Sequence, residues 1–144
     1  MRIQHVLEID APVERLWSLT VAVEEWPTFT PTVTSVERLD DGPLCVGSRA
    51  RLKQPGQPLR VWTVTALEPQ RRFAWSTQLL GVTMTGVHEL EPTDSGSRNI
   101  LSVELSGWAA GLLGILMRIP IARAIAQENA GFKLAAESAT VGDA

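Results

Sequence analysis

The sequence predicts an α+β fold, in which a curved, seven-stranded antiparallel sheet wraps around a long C-terminal helix. Apolar residues alternate with polar ones at the N-terminus, and six further runs of about 7–9 residues, each ended by turn residues, follow between 32 and 107. After Gly107 the pattern becomes helical for about 30 residues. Such a helix is ~45 Å long, whereas a strand of these lengths spans ~27 Å. The helix can therefore be buried only if the sheet curls around it.

The first strand and two short helices are predicted between residues 2 and 25. Every second residue from Ile3 to Ile9 falls on one side of an alternating pattern, which indicates a half-buried strand. Asp10 is then a good helix N-cap and Pro12 suits a first helical turn, so we expect a short helix up to Thr20. A second helical piece, at 21–25, should end before Pro27, because proline disfavours a helical conformation in its predecessor.

The remaining strands and the long helix follow from turn chemistry and from proline. The predicted strands are 33–39, 47–54, 59–67, 71–79, 82–90 and 99–106. No connection between them is long enough for a helix, so a parallel arrangement is disfavoured. The C-terminal helix is expected over 108–138, with a kink near Pro120. We expect a single domain over 1–139, followed by a loose tail at 140–144.

Local phrases in this order resemble those of the START-like superfamily, also called the Bet v 1-like, helix-grip or SRPBCC proteins. The resemblance is narrower to the polyketide cyclase/dehydrase and lipid-transport type. The phrases are Ile9–Trp17, Trp26–Pro27, Val64–Trp75, His88 at the close of the sixth strand, and Ser106–Gly107 before the helix. The resemblance implies an elongated apolar cavity between sheet and helix that binds lipids, sterols or polyketide-like aromatics. It does not imply one reaction, because the same scaffold carries unrelated functions.

His88 is the residue best placed for chemistry. It shares the phase of Val82, Met84 and Leu90 on the sixth strand, the side that should face the cavity. A histidine there can shuttle a proton or donate a hydrogen bond to a ligand carbonyl. Alternatively, His88 is a neutral histidine that only shapes the wall. His5 has the same phase on the first strand, and we expect it to be structural.

The ligand-binding wall is predicted to be largely aromatic and aliphatic. Its candidate residues are Trp26, Phe29, Phe73, Trp75, Met84, His88, Leu116 and Ile121. The Trp26–Phe29 segment and Pro120 should border the entrance and move as gates. Glu128 and Asn129 interrupt the apolar helix, either as a solvated edge or, for one of them, as a polar anchor inside the cavity. Arg60 is expected on a solvated outer face.

Binding or carriage of a small hydrophobic ligand is the first functional hypothesis. The alternative is a polyketide cyclase or dehydratase that uses His88 as acid and base. In cyclases of the superfamily a Tyr after the short helices and a Ser and an Arg on a middle strand are implicated. The sequence contains no Tyr, and the corresponding positions here are near Val33 and at Ala66 and Glu68. A third hypothesis is a protein-interaction module, which exposure of Trp108 and Leu112 would favour.

Composition excludes several other classes. The net charge of −3, from 13 basic and 16 acidic residues, argues against a nucleic-acid binder. Two His and one Cys, far apart, predict neither a metal site nor a cofactor. The most apolar stretch, 108–117, is shorter than the ~20 residues of a membrane span, and no N-terminal targeting pattern is visible. We therefore expect a cytoplasmic protein. Its oligomeric state stays open, a homodimer included.

Overall fold

The computed structural model describes residues 1–142 of the chain, with side chains up to 138. The elements are β1 (Arg2–Ile9), α1 (Val13–Val21), a 3₁₀ helix (Val23–Thr28), β2 (Ser35–Arg38), β3 (Arg49–Lys53), β4 (Arg60–Glu68), β5 (Arg72–Leu79), β6 (Val82–Pro92), β7 (Ser97–Ser106) and α2 (Ala110–Gly142). The strands form one antiparallel sheet in the order β1-β7-β6-β5-β4-β3-β2. The predicted fold class is confirmed. The predicted tail at 140–144 reaches beyond the described residues.

The inner face of the sheet carries the large side chains, and small residues make room for them. On β5, Phe73 and Trp75 are buried, and Trp75 pairs with Gly86 on β6. A Cβ at Gly86 would already lie 3.6 Å from the indole of Trp75 and 3.9 Å from that of Trp62. The absence of a side chain at Gly86 therefore leaves space in front of the two indoles.

Helix α2 packs along β1 and β7 by one face. Its buried residues recur at helical spacing: Ala110, Ile121, Ile125, Asn129, Phe132 and Ala136. Near its C-terminal half, Gly131 lies so close to the backbone carbonyl of Phe29 that a Cβ would collide with it. This close approach fixes the 3₁₀ helix segment against α2.

A buried amide network joins α2 to the sheet. The Asn99 side-chain amide donates a 3.0 Å hydrogen bond to Oδ1 of Asn129, and Nδ2 of Asn129 reaches both the Asn99 carbonyl, at 3.2 Å, and Nδ1 of His5, at 3.0 Å. Asn99 and Asn129 are fully buried. His5 is thus a structural residue, as predicted, and Asn129 is neither a solvated edge nor a cavity anchor.

The N-terminal helices differ in detail from the prediction. Pro12, not Asp10, occupies the N-cap of α1, and no side chain caps that helix. The backbone N–H of Asp10 instead donates a 2.8 Å hydrogen bond to Glu137 on α2. The second helical piece is a 3₁₀ helix that includes Pro27. A short 3₁₀ turn tolerates proline near its start or middle, because few of its N–H groups need intrahelical partners.

The long helix is more apolar than its first ten residues suggested. Residues Ala110–Ser138 are long and apolar enough, by length and composition alone, to cross a membrane. The prediction from the uninterrupted stretch 108–117 missed this, because Arg118 and Pro120 interrupt the stretch but do not end the helix. In this fold one face of the helix lies against the sheet.

Candidate functional site

A cavity of about 690 Å³ lies between the sheet and α2. On the sheet side it is lined by Trp62, Trp75, Met84, His88 and Leu101, among others. On the helix side the lining includes a series of residues three to four positions apart, Leu113, Met117, Ile121, Ala124 and Glu128, with neighbours such as Ile119, Pro120 and Arg123 beside them. Apolar residues of strand period face apolar residues of helix period across the space, so the site is built by the same pattern that forms the core.

Of the predicted ligand-binding residues, Trp26, Trp75, Met84, His88 and Ile121 line the cavity, and three others do not. Phe73 is fully buried behind the wall, with its ring centroid 5.0 Å from that of Trp75. Phe29 packs on Phe132 at 5.0 Å. Leu116 is 66% exposed, because one residue rotates a helix by about 100° and Met117, not Leu116, points to the sheet.

Trp26, which the sequence placed at the entrance, does not form it. Trp26 is 1% exposed, its indole N–H donates a 3.1 Å hydrogen bond to the Leu19 carbonyl, and its ring contacts those of Trp75 and Phe132 at 5.1 and 5.5 Å. A side chain held on all sides in this way is a part of the core and not a gate.

The mouth of the cavity lies between α2 and the loops of the first strands. The lining residues that are also exposed mark it: Pro31, Pro55, Ile119, Pro120, Arg123 and Gln127. Pro120 therefore borders the entrance, as the sequence predicted. Arg60, expected on an outer face, belongs to the lining instead, because it begins β4 directly after the loop at the mouth.

His88 lies at an aromatic end of the cavity. Its ring centroid is 5.1 Å from that of Trp26, 5.5 Å from that of Phe73 and 5.6 Å from that of Phe132. Its Nδ1 is sealed from solvent without a hydrogen-bond partner among the described residues. Burial among these rings lowers the pKa of His88 to about 3, because the charged form loses its water and gains no counter-ion. At neutral pH His88 is an uncharged hydrogen-bonding group and not a proton donor.

This burial predicts a measurable effect on stability. Between pH 6.5 and about 3 the unfolded chain binds a proton at His88 that the folded chain does not, so His88 lowers the free energy of unfolding as the pH falls. The free energy of unfolding of His88→Gln, relative to that of the wild type, should therefore rise as the pH falls below 6.5, by up to about 1.4 kcal/mol per pH unit. Urea titrations of both proteins at several pH values measure it. Parallel pH profiles would contradict the assigned environment.

Glu128 is the acidic group of the cavity. It projects from α2 into the lining and forms no hydrogen bond or ion pair with the described residues. Burial raises the pKa of its carboxyl to about 7, since a carboxylate is poorly solvated there. The sequence offered Glu128 only as one of two alternatives. Apolar helical spacing could have selected it, because Leu113, Met117, Ala124 and Glu128 lie on one face.

Glu128 should destabilise the folded protein as the pH rises, whereas His88 destabilises it as the pH falls. Its folded pKa is above its unfolded value of 4.5, so the folded chain binds the extra proton and loses stability as the pH rises from 4.5 through 7. The free energy of unfolding of Glu128→Gln, measured relative to that of the wild type, should therefore be about 1–2 kcal/mol higher at pH 8 than at pH 5. Glu137→Gln on the same helix is the matched control, since hydrogen bonds from Lys133 and the Asp10 backbone lower the pKa of that carboxyl. The control should show no such gain, and equal profiles for both variants would refute the placement of Glu128.

The positions implicated in cyclases carry no matching groups here. Val33 is buried and lines the cavity, whereas Ala66 and Glu68 are outside the lining. Among the described residues, no three His, Cys, Asp or Glu side chains are grouped to hold a metal. Cys45 is exposed, with its sulfur 3.4 Å from the hydroxyl of Ser48. The ionisable side chains of the described cavity lining are His88, Glu128 and the arginines at its edge, and the hydroxyl of Ser102, buried without a hydrogen-bond partner among the described residues, is a further polar group.

Solved structures with the same fold are numerous. The protein Ara h 8.0201 matches with a TM-score of 0.75 at 13% identity, covering 96% of this chain and 98% of that one. A Thermus thermophilus protein matches with a TM-score of 0.75 at 18% identity, covering 96% and 99%. The di-domain ARO/CYC protein StfQ, from the steffimycin biosynthetic pathway, matches with a TM-score of 0.76 at 15% identity over 96% of this chain and 51% of its own.

These structures share the Bet v 1-like fold with this chain, and identities this low show the fold alone. No match is found among curated proteins. The family model described as polyketide cyclase/dehydrase and lipid transport, however, matches residues 1–137. It extends from β1 into the C-terminal half of α2, and so includes the described cavity lining. The chain therefore belongs to the polyketide cyclase/dehydrase and lipid-transport family.

Proposed function

We propose that this protein binds and carries one small hydrophobic ligand in the cavity between its sheet and α2. The observation that carries the proposal is the cavity itself, which is about 690 Å³ in volume and lined by Trp62, Trp75, Met84 and Ile121. Cavities that bind small molecules usually have volumes of about 300–1,000 Å³, mostly apolar walls and a few polar groups. This cavity has those properties.

The polar groups suggest how the ligand is oriented. His88 lies uncharged at the aromatic end, whereas Arg123 is exposed at the mouth and Arg60 is partly buried there. A flat or branched apolar body would pack against the indoles at the closed end. A polar or anionic end group would face the arginines and water at the mouth, where a charge keeps its hydration. Lipid-like and polyketide-like molecules both have this polarity.

The binding experiment uses a fatty acid that carries an environment-sensitive fluorophore. Titrated into the purified protein, it should bind saturably at one molecule per chain, with enhanced and blue-shifted emission. An unlabelled fatty acid or a flat polyketide-like aromatic should displace it, and which of the two competes better assigns the ligand class. Emission that rises linearly without saturation, or stays unchanged, would refute the proposal.

A second candidate function is acid/base chemistry on a ligand in the same cavity. One observation favours it: Glu128 lines the cavity with a pKa of about 7, and a general acid or base works best near the operating pH. His88, the residue proposed from the sequence for this role, has a pKa too low to donate a proton there. The candidate therefore rests on Glu128.

Deuterium exchange at the enolisable carbon of an aromatic β-diketone, followed by NMR, separates the two candidates. A catalyst would accelerate the exchange, and Glu128→Gln would remove the acceleration while the probe still binds. His88→Gln would retain it. A carrier would bind the diketone without accelerating its exchange.

A further inference from the structure

The first half of α2 exposes an apolar stripe to solvent. Trp108, Leu112, Ile115, Leu116 and Ile119 are between 66% and 85% exposed. The four residues in α2 recur at helical spacing and share one side of the helix, and Trp108 lies in the turn two residues before the helix begins. Only 17% of the most apolar stretch of Ala110–Ser138 is buried inside the protein. Contiguous exposure of this kind is unusual for a monomer surface and marks a contact site.

The tip of the β5–β6 hairpin extends this stripe. Leu80 is 93% exposed at the hairpin turn. The adjoining Gly81 lies against the indole of Trp108, and a Cβ at Gly81 would come within 2.5 Å of that ring. The hairpin tip and the start of α2 therefore form one surface. We call Leu80, Trp108, Leu112, Ile115, Leu116, Arg118 and Ile119 the docking face.

The charge on this face is opposite to that of the whole chain. The sequence from Leu105 to Gln127 contains Arg118 and Arg123 but no Asp or Glu, and the hairpin from Phe73 to Val87 contains no charged residue. Both arginines are exposed. The net charge of the chain is nevertheless −3, so its acidic residues lie elsewhere. An apolar stripe beside cations, without anions, is complementary to an anionic lipid surface.

The docking face is continuous with the mouth of the cavity. Ile119 belongs to both, and its neighbours Pro120 and Arg123 also line the mouth. A surface on which this face rests would therefore adjoin the opening through which a ligand enters. Any ligand that partitions into lipid would reach the cavity without crossing bulk water.

We infer that the docking face binds the surface of an anionic lipid bilayer, with Trp108 and the leucines and isoleucines entering the boundary between headgroups and acyl chains. Tryptophan favours that boundary, and arginines reach phosphate groups from it. The face of α2 opposite the docking face stays packed on the sheet, so the helix lies in the membrane plane. Ligand exchange with the bilayer rests on the proposed function, whereas docking does not.

Co-sedimentation with vesicles tests the docking. The full-length protein should bind phosphatidylcholine vesicles in which a third of the lipid is replaced by phosphatidylglycerol, and bind pure phosphatidylcholine at least about tenfold more weakly. Added salt should weaken binding to the anionic vesicles. Leu112→Ser combined with Leu116→Ser should reduce binding at least about tenfold, since it removes buried apolar area. Arg118→Glu should reduce binding to anionic vesicles only.

The matched control is Val46→Ser, which changes an apolar side chain that is 60% exposed in the loop before β3, away from α2 and the docking face. It should bind vesicles like the wild type. Because Leu112 and Leu116 do not line the cavity, the double variant should also keep its affinity for the fluorescent fatty acid, which shows that it is folded. Docking and ligand binding can thus fail independently.

Two results would overturn the inference. One is equal sedimentation of the wild type and the double variant with anionic vesicles. The other is a concentration-dependent dimer, seen by analytical ultracentrifugation, that the double variant abolishes while vesicles fail to bind the wild type. The second result would assign the face to another copy of this chain.

Discussion

Ala124→Trp should reduce affinity for the fluorescent fatty acid at least about a hundredfold, or about 2.8 kcal/mol. Ala124 lies on the helix side of the cavity, in line with Met117 and Glu128. An indole at this position would extend into the cavity and occupy space that the ligand needs. Because that space is apolar, we expect the variant to be at least as stable as the wild type. Thermal unfolding and probe titration measure the two quantities separately.

Ala122→Trp is the control for this change. Ala122 lies two residues earlier on the same helix, is exposed and does not line the cavity. The same indole there should leave probe affinity within about twofold of the wild type, because nothing enters the cavity. If Ala124→Trp binds the probe as tightly as Ala122→Trp does, the ligand does not occupy this cavity.

Asn129→Leu should lower the free energy of unfolding by about 2–4 kcal/mol. Leucine is close to asparagine in size but its side chain cannot form hydrogen bonds. The substitution therefore leaves the buried side-chain amide of Asn99 and Nδ1 of His5 without their hydrogen-bond partner. Gln127→Leu, two residues earlier and exposed, should change stability by less than about 0.5 kcal/mol. Urea unfolding followed by tryptophan fluorescence measures both.

The double variant Asn99→Leu with Asn129→Leu tests the cause of that loss. Replacing both partners of a buried hydrogen bond by apolar groups is far less costly than leaving one unpaired. The double variant should therefore lose less stability than the sum of the two single losses, by about 1 kcal/mol or more. Additive losses would show that the amides do not act as a pair.

The fold could be predicted because its signals are local. Alternation from Ile3 to Ile9 and the turn residues after each later run define strands without knowledge of their partners. The predicted N-cap was wrong, because α1 begins at Val13 after Pro12, two residues later than an N-cap at Asp10 would place it. The backbone N–H of Asp10 donates a hydrogen bond to Glu137, 127 residues away in sequence, and no local pattern shows that contact.

The cavity face of α2 was harder to predict than that of β6. On β6 Met84 and His88 share a period-two phase with Val82 and Leu90, whereas Thr83, Thr85 and Glu89 lie in the other phase, so the pattern places Met84 and His88 on the inner face despite Val87. On α2 leucine, isoleucine and alanine surround the helix, so periodicity alone does not separate Leu116 from Met117. That ambiguity has the same origin as the docking face: the helix is apolar towards the sheet and towards solvent.

The electrostatic state of the cavity groups depends on distant residues. His88 is uncharged because Trp26 and Phe132, more than forty positions away on either side, surround its ring. The sequence places His88 on the correct side of its strand but does not show what encloses it. For the same reason Trp26, which precedes a proline and seemed mobile, is fixed by rings from the strands and α2.

Native mass spectrometry of protein purified without added ligand tests whether the cavity holds a ligand. We expect a species heavier than the bare chain by one small molecule, which organic solvent extracts and which is missing from Ala124→Trp but present on Ala122→Trp. The extracted molecule should be largely apolar and should displace the fluorescent fatty acid. A single species at the mass of the bare chain, together with no saturable binding of the probe, would contradict the claim that the cavity is a ligand-binding site.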